Sequence, residues 1–360
     1  MNLLFITYQG DISGQTNSIC FLAKGLAEKG HNVYVGCRRE SLLFTLLKDT
    51  QVNLLPMVFK GKIDFANIKK IKDAVLKYSI EIINAQSSND RYSTILSRWL
   101  YGLNVKIIHT RRQAPKSVGG FLQNYFYTKG TDKIIAISDE LKKTLVKKGL
   151  PEDHIHVIYN GTPKERYSMV KEEEIKKLKE KYGLKENDVV IGCISRRKKQ
   201  EQLIEALPYL DPKIKVMFVG IEKNSLNEYV KNFNVKQEVI YAGLVDAKEV
   251  LNYYKLFTIS VLPSTMDGFG LVLVEAMALG VPVVATRAEG IINVVEENKS
   301  GLLFNDGDIK DLAAKINILL EDNEKRKTLI QNGKVRALDT FSMERTVENY
   351  EIFFKSLLSR

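Results

Sequence analysis

The chain has 360 residues, 44% hydrophobic and 27% charged, with a net charge of +11 and a mean hydropathy of −0.16. That length accommodates two domains with a core each, the composition is that of a soluble globular protein, and no apolar run approaches the ~20 residues a membrane-spanning helix requires. The charge is lopsided: residues 1–170 hold 25 Lys and Arg against 14 Asp and Glu, so the whole excess lies there. A basic half beside a neutral half predicts that the two do different work and that the first faces something anionic, with nucleic acid, anionic lipid headgroups and phosphorylated acceptors as candidates. Lysines kept only for solubility are the alternative.

The opening "MNLLFITYQGD" lacks a basic n-region and a small-residue cleavage site, so it reads as a first strand and not as an export signal. A Gly-containing loop to Gly14, an amphipathic helix stopping at Gly30 and a strand over Asn32–Cys37 complete a βαβ unit. Further apolar strands are predicted at Glu81–Asn84, Val105–His109 and Lys133–Ile137, separated by helical patterns such as "FANIKKIKDAVLKYS" and "SDELKKTLVKKG". Continuous apolar strands alternating with helices predict a parallel sheet covered on both faces. Cys20, Cys37 and Cys193 are scattered in apolar stretches without metal-ligand spacing, as expected of reduced core thiols in a cytoplasmic protein.

After "VIYNGTPKERY" the charged run "KEEEIKKLKEKYGLKEND" reads as a solvated connecting helix. A second series of strands follows, at Val189–Ser195, Lys215–Gly220, Glu238–Ala242, Phe257–Leu262, Pro282–Thr286 and Gly301–Phe304, and the tail from Lys325 reads as all-helical. The expected organisation is α/β, two doubly wound Rossmann-like domains facing a cleft. Residues 1–165 would form the first domain, 166–187 a linker helix and 188–340 the second domain, with 341–360 packing back on the first. In open parallel sheets ligands lie beyond the carboxyl ends of the strands, so motifs just after strands carry the chemistry.

One such stretch is "STMDGFGLVLVEAMALGVPVVAT", residues 264–286, with Asp267 in a loop and Glu275 in the helix after it. Eight helical steps would span ~12 Å, whereas paired glycosidase carboxyls work about 5–9.5 Å apart, so an acid/base dyad is not expected. No His or third acid stands nearby to complete a metal site. What remains is a glycine-entered helix N-terminus, whose unpaired amides suit a phosphate or sugar oxygen. On this reading the two acids accept hydrogen bonds from a ligand; otherwise Asp267 is a helix cap and Glu275 a solvated helix residue.

The stretch resembles the signature of the family-four retaining glycosyltransferases with the GT-B fold: an acid, x-Phe-Gly, a Glu, then A-M-A-x-G-x-P-V-V-A. The resemblance implies that Asp267, where the family usually has Glu, contacts donor-sugar hydroxyls. Glu275 would contact the nucleotide ribose, and the loop and helix start at Phe269, Gly270, Leu271 and Val272 would offer amides to the sugar and diphosphate. Other stretches fall in the family's order over about 300 residues. "GDISGQ" resembles its N-terminal Gly loop, with Gly14 letting backbone approach the diphosphate. "KIIAISDELKKTL" and "VIYNGT" resemble the end of its first domain, and "AEGIINVVEENKSGLLF" its Gly-to-Gly-Leu segment.

The basic loop in "GCISRRKKQEQLIEAL" suits a diphosphate, because Arg and Lys neutralise the leaving charge. Lys198 matches the family's Lys, Cys193 stands where the family has Arg, and either Arg196 or Arg197 would supply that guanidinium. His109, ending a strand in "VKIIHTRRQ", resembles a family His that touches the donor sugar, which makes it catalytic together with Asp267; a packed or surface His is the alternative. Arg111 and Arg112 beside it would meet an anionic acceptor. His31, His154 and His156 are assigned no chemistry. Asp306-x-Asp308 in "NDGDIKD" precedes a helix, so Asp308 reads as an N-cap and not as half of a metal pair.

Together these imply a retaining, metal-independent hexosyltransferase with no cofactor, a nucleotide-diphosphate sugar serving as co-substrate. No residue names the base, and uridine is placed ahead of guanosine. No covalent nucleophile emerges; a same-face substitution in which the leaving phosphate helps deprotonate the acceptor is what the resemblance implies. The basic half points to a lipid-linked or phosphorylated cell-envelope acceptor, with peripheral contact at the inner, cytoplasmic face of an anionic membrane and no nucleic-acid partner. Transfer to a soluble acceptor, or epimerisation of a sugar nucleotide on the same fold, are the alternatives.

Overall fold

The computed structural model describes residues 1–11, 13–61, 63–113, 120–246, 249–265 and 269–359. The chain divides into two compact units, Met1–Thr162 with Ser342–Arg360, and Pro163–Phe341.

In the first unit seven strands, β1 (Asn2–Ile6), β2 (Asn32–Cys37), β3 (Asn53–Pro56), β4 (Ile82–Ala85), β5 (Lys106–Arg111), β6 (Lys133–Ala136) and β7 (Ile155–Val157), alternate with helices. The helices are α1 (Gly14–Glu28), α2 (Leu42–Leu47), α3 (Phe65–Tyr78), α4 (Ser88–Tyr101), α5 (Phe121–Gly130) and α6 (Asp139–Lys147). The strands pair in parallel in the order β3-β2-β1-β4-β5-β6-β7, with Phe5 opposite both Val35 and Asn84. Successive strand residues face opposite ways, and both faces are covered. Leu3 and Phe5 enter one core with Ile19 and Leu22 of α1, while Leu4 and Ile6 enter another with Ile71 and Val75 of α3. That double burial is why the strands read as unbroken apolar runs. The short edge strand β3, both of its ends exposed, carries no such run and is not among the predicted strands.

The second unit opens with α7 (Glu172–Lys181) and repeats the plan with β8 (Val190–Ile194), β9 (Lys215–Val219), β10 (Glu238–Gly243), β11 (Ile259–Leu262), β12 (Val283–Thr286) and β13 (Leu302–Phe304). Its other helices are α8 (Glu201–Ala206), α9 (Asn227–Asn232), α10 (Val250–Tyr254), α11 (Leu271–Ala278), α12 (Ile291–Val294), α13 (Ile309–Glu321) and α14 (Asn323–Asp339). The strand order is β10-β9-β8-β11-β12-β13, again parallel. The segment expected to be a linker over 166–187 belongs to this unit. The amide of Lys171 donates to Asn252 Oδ1 at 3.1 Å and the hydroxyls of Tyr182 and Tyr253 meet at 3.3 Å, tying α7 to α10.

The tail is not one helical run. It breaks after α14, Ser342 caps α15 (Met343–Leu358), and α15 belongs to the first unit. Val347, Tyr350, Phe353 and Phe354 of α15 enter the core beside α1. Gly161 makes this possible, because a Cβ there would lie 2.1 Å from the carbonyl oxygen of Ser342.

Candidate functional site

In each sheet the chain winds one way from the first strand and then the other, so the point of reversal lies between β1 and β4 in the first unit and between β8 and β11 in the second. Loops leaving two such strands diverge and open a crevice at their carboxyl ends. In the second unit, the basic loop follows β8 and the Gly-Phe-Gly segment follows β11, so the two motifs lie at neighbouring strand ends.

The basic loop is organised by Gln200, which is fully buried. Its Oε1 accepts from the amide of Lys198 at 2.5 Å, and its Nε2 donates to Ser195 Oγ and to the carbonyl of Arg196, each at 2.7 Å. Gln202 ties the loop to its neighbours, donating to the carbonyl of Pro263 beyond β11 and to Asp306 beyond β13. Cys193 packs in the core of the unit, so its side chain does not do the work of the family's Arg. The two arginines differ. Arg197 bridges Glu201 at 3.2 Å and lies over the ring of Tyr229, whereas Arg196 is exposed and makes no ion pair among the described residues. Lys199 pairs with Asp306 at 2.5 Å, and Asp308 caps α13 through Asp311 N, the cap role read from the sequence.

After β11, Met266, Asp267 and Gly268 lie outside the described residues. Phe269 is buried edge-on against Phe341, with ring centroids 5.3 Å apart, so its side chain packs and its backbone is what the loop presents. Gly270 caps α11 at φ 76°, a left-handed conformation that glycine adopts without strain. It has no side chain to accept from the first helical amides, those of Leu271 and Val272, and the positive end of a helix suits an anion.

Glu275 of α11 is buried and doubly held. Arg166 Nη1 donates to its Oε1 in an ion pair, and the single hydroxyl hydrogen of Tyr254 is shared between its Oε2 at 3.2 Å and the carbonyl of Val272 at 2.9 Å. Burial, reinforced by the Glu275 carboxylate, holds the Tyr254 phenol far above its usual range, so it is a permanent donor. Each carboxylate oxygen has lone-pair capacity left for a ligand hydroxyl. Neither Arg166 nor Tyr254, nor Gln200, was picked out from the sequence; the first two stand far from Glu275 in the chain, and Gln200 is hidden in a polar run.

In the first unit, Gly14 opens α1 with an exposed backbone, and Ser13 caps the helix through the amide of Thr16. The expectation that β5 ends at His109 is corrected, since the strand runs on to Arg111. Its last polar residues are buried, which polarity alone hides. His109 is 0% exposed, edge-on to Tyr127 at 5.7 Å, and neither ring nitrogen has a hydrogen-bond partner among the described residues. Burial, then the charges of Arg91 and Arg111, hold its pKa well below the usual histidine range, so the ring is neutral. Arg111 and Arg112, expected at an open acceptor site, are buried as well. His31 bridges Glu351, His154 bonds Thr131 and His156 stacks on Phe353, all structural contacts.

The family description Glycosyltransferase Family 4 matches residues 12–166, and Glycosyl transferases group 1 matches residues 172–336. The chain belongs to the family-four glycosyltransferases. This glycosyltransferase is 25% identical over 358 residues to the N-acetyl-alpha-D-glucosaminyl L-malate synthase of Bacillus anthracis, covering 94% of this chain and 92% of that one. It is 26% identical over 319 residues to the capsular polysaccharide biosynthesis glycosyltransferase CapM of Staphylococcus aureus, covering 82% of each. Among solved structures, Anabaena Alr3699/HepE in complex with UDP superposes with a TM-score of 0.83 at 21% identity, over 99% of this chain and 100% of that one. At that identity the likeness speaks for the GT-B fold alone.

Proposed function

We propose that this glycosyltransferase moves a hexose-type sugar from a nucleotide diphosphate, uridine diphosphate by preference, with retention at the anomeric carbon and without a metal cofactor. The observation that carries the reading is the juxtaposition at β8 and β11: an exposed Arg196 and the neighbouring Lys198 on one strand end, and a glycine-entered helix terminus on the next. A diphosphate between them meets cations on one side and backbone amides on the other, which stabilises the charge that develops as the sugar leaves. Glu275, oriented by Arg166 and Tyr254, accepts from the ribose. Asp267 accepts from the sugar hydroxyls. The complexes of Anabaena Alr3699/HepE with UDP and with UDP-glucose support the choice of donor.

The acceptor on this reading is a lipid-linked or phosphorylated cell-envelope glycan, met at the inner face of the cytoplasmic membrane. The name of the Staphylococcus aureus relative, a capsular polysaccharide enzyme, supports it. So do the exposed Phe121, Leu122 and Tyr125 of α5 and Trp99 of α4, on the basic unit. Among the described residues no helix is long and apolar enough to cross a membrane, so contact would be peripheral. Incubation with labelled UDP-sugars and membrane lipid extract, with the product's anomeric configuration read by NMR, tests the reading. Label in a lipid-linked α-glycoside supports it, and transfer only to water or to neutral soluble acceptors overturns the acceptor assignment.

A further inference from the structure

The first unit carries a concentration of buried positive charge that its own residues do not neutralise. Arg111 is the last residue of β5 and Arg112 follows it, at the strand next to the reversal between β1 and β4. Arg91 sits in the first turn of α4, just beyond β4. All three guanidinium-bearing residues are at least nine-tenths buried, with exposures of 7% for Arg91, 6% for Arg111 and 9% for Arg112. Arg111 stands over the Tyr127 ring at 4.8 Å, where its charge and that of Arg91 act on each other. Arg112 turns to Gln86, donating to its Oε1 at 2.5 Å, and to Ser18 of α1 at 3.5 Å.

Burying a cation is tolerated when a counter-charge is buried with it. The carboxylate beside this group is Asp90, and it is already committed. Its oxygens accept from the amides of Gln86 and Ser87 and from Ser87 Oγ, at 2.7, 2.8 and 2.6 Å, as the capping box of α4. Residues 114–119, which follow the cluster in the chain, contain no acid. The placement of Arg91 adds to the imbalance, because the first turn of a helix disfavours cations.

Donors dominate the unsatisfied atoms. Among the described residues Nε of Arg91, Arg111 and Arg112, Nε2 of Gln86 and Nδ2 of Asn84 are buried donors without a hydrogen-bond partner, against a single acceptor, the unprotonated ring nitrogen of neutral His109. A cluster whose unpaired donors outnumber its acceptors, at the end of the sheet where the fold places ligands, suits an oxyanion. Burial and the charge of Arg111 push the Arg91 pKa down to about 9, so the guanidinium stays protonated at neutral pH, one of its nitrogens donating to the carbonyl of Thr110 at 3.1 Å.

We propose that Arg91, Arg111 and Arg112, with Gln86, form an oxyanion site at the carboxyl ends of β4 and β5 that receives a carboxylate or phosphate group of the acceptor. The proposal rests on the reading of the chain as a glycosyltransferase and narrows its acceptor to a molecule with an anionic group close to the hydroxyl that is glycosylated. The name of the Bacillus anthracis relative, whose product carries L-malate, shows that a chain of this kind can serve a small carboxylate.

Calorimetric titration of the full chain with inorganic phosphate and, separately, with L-malate tests the site, with UDP titrated in parallel. Wild type is expected to bind at least one of the two anions. Arg111→Gln and Arg112→Gln should weaken that binding at least tenfold and leave UDP affinity within twofold. Tighter binding of phosphate marks a phosphorylated acceptor, and tighter binding of malate a carboxylate one. Equal loss of UDP binding in the variants would assign the site to the donor diphosphate and overturn the proposal, as would anion binding that the variants retain. Should the variants fail to fold, the wild-type melting midpoint decides: it rises in phosphate or malate over chloride at matched ionic strength, and an unchanged midpoint in both refutes the site. Failure of the glycosyltransferase reading shows separately, as wild type that binds an anion but no UDP.

Discussion

Arg166 and Glu275, 109 residues apart in the chain, form an ion pair within the second unit, with side-chain exposures of 17% and 9%. The pair fixes the carboxylate that the nucleotide ribose would meet, and Tyr254 fixes its other oxygen. Replacing Glu275 by Ala leaves a mostly buried guanidinium without its counter-charge. It should cost about 2–3 kcal/mol in urea unfolding, below the figure for a fully buried pair. Arg166→Ala/Glu275→Ala should be less destabilised than the two single losses added. UDP affinity should fall at least tenfold in Glu275→Ala. Unfolding free energies that add would show the pair to be uncoupled.

The two arginines of the basic loop should separate kinetically. Arg197 already has Glu201 as partner in a half-exposed i,i+4 pair, so Arg197→Ala should change donor kcat/KM by less than about fivefold, in line with the worth of exposed ion pairs. Arg196→Ala should lower it by about 10–100-fold, the loss of a charge-assisted hydrogen bond to phosphate. The reverse order would move the leaving-group contact to Arg197.

Gly161 controls the docking of the last helix. An alanine methyl there would meet the Ser342 carbonyl at 2.1 Å, so Gly161→Ala should push α15 away from α1 and expose Tyr350 and Phe354. Limited proteolysis should cleave near residue 342 faster in the variant than in wild type. Unchanged cleavage would show that the backbone absorbs the methyl.

His109 should make the fold acid-sensitive. Its folded pKa is depressed, by burial first and then by Arg91 and Arg111, so the unfolded chain binds the proton that the folded one refuses. Folded and unfolded states are both neutral at this residue above pH 7. As pH falls below the unfolded value near 6.5, stability drops, by up to about 1.4 kcal/mol per pH unit for one such group. Denaturant midpoints from pH 7.5 to 5 should therefore fall more steeply in wild type than in His109→Gln. Parallel profiles would mean that His109 titrates in the folded protein.

The second unit was legible almost strand by strand, because β8 to β13 are buried apolar segments separated by glycine and charged turns. In the first unit the pattern failed at β3, an edge strand half in solvent, and at the end of β5, where Thr110 and Arg111 are polar yet buried. The glycine-entered helix and the basic loop could be read because their chemistry is local in sequence. The partners of Glu275 could not, since Arg166 and Tyr254 reach it only through the fold. The tail reads as all-helical because both helices are periodic, with 341–360 set apart as packing back on the first domain; the cap geometry at Thr340 to Ser342, where α14 ends and α15 begins, appears only in three dimensions.

The central claim is that a nucleotide sugar is held by the strand ends of β8 and β11. Titrating UDP-glucose and UDP into wild type, Arg196→Ala and Glu275→Ala, with circular dichroism confirming that each is folded, addresses it directly. Saturable binding by wild type, weakened at least tenfold in both variants, is the predicted result. Wild type that binds no UDP-sugar or GDP-sugar, or folded variants that bind as tightly as wild type, would contradict it.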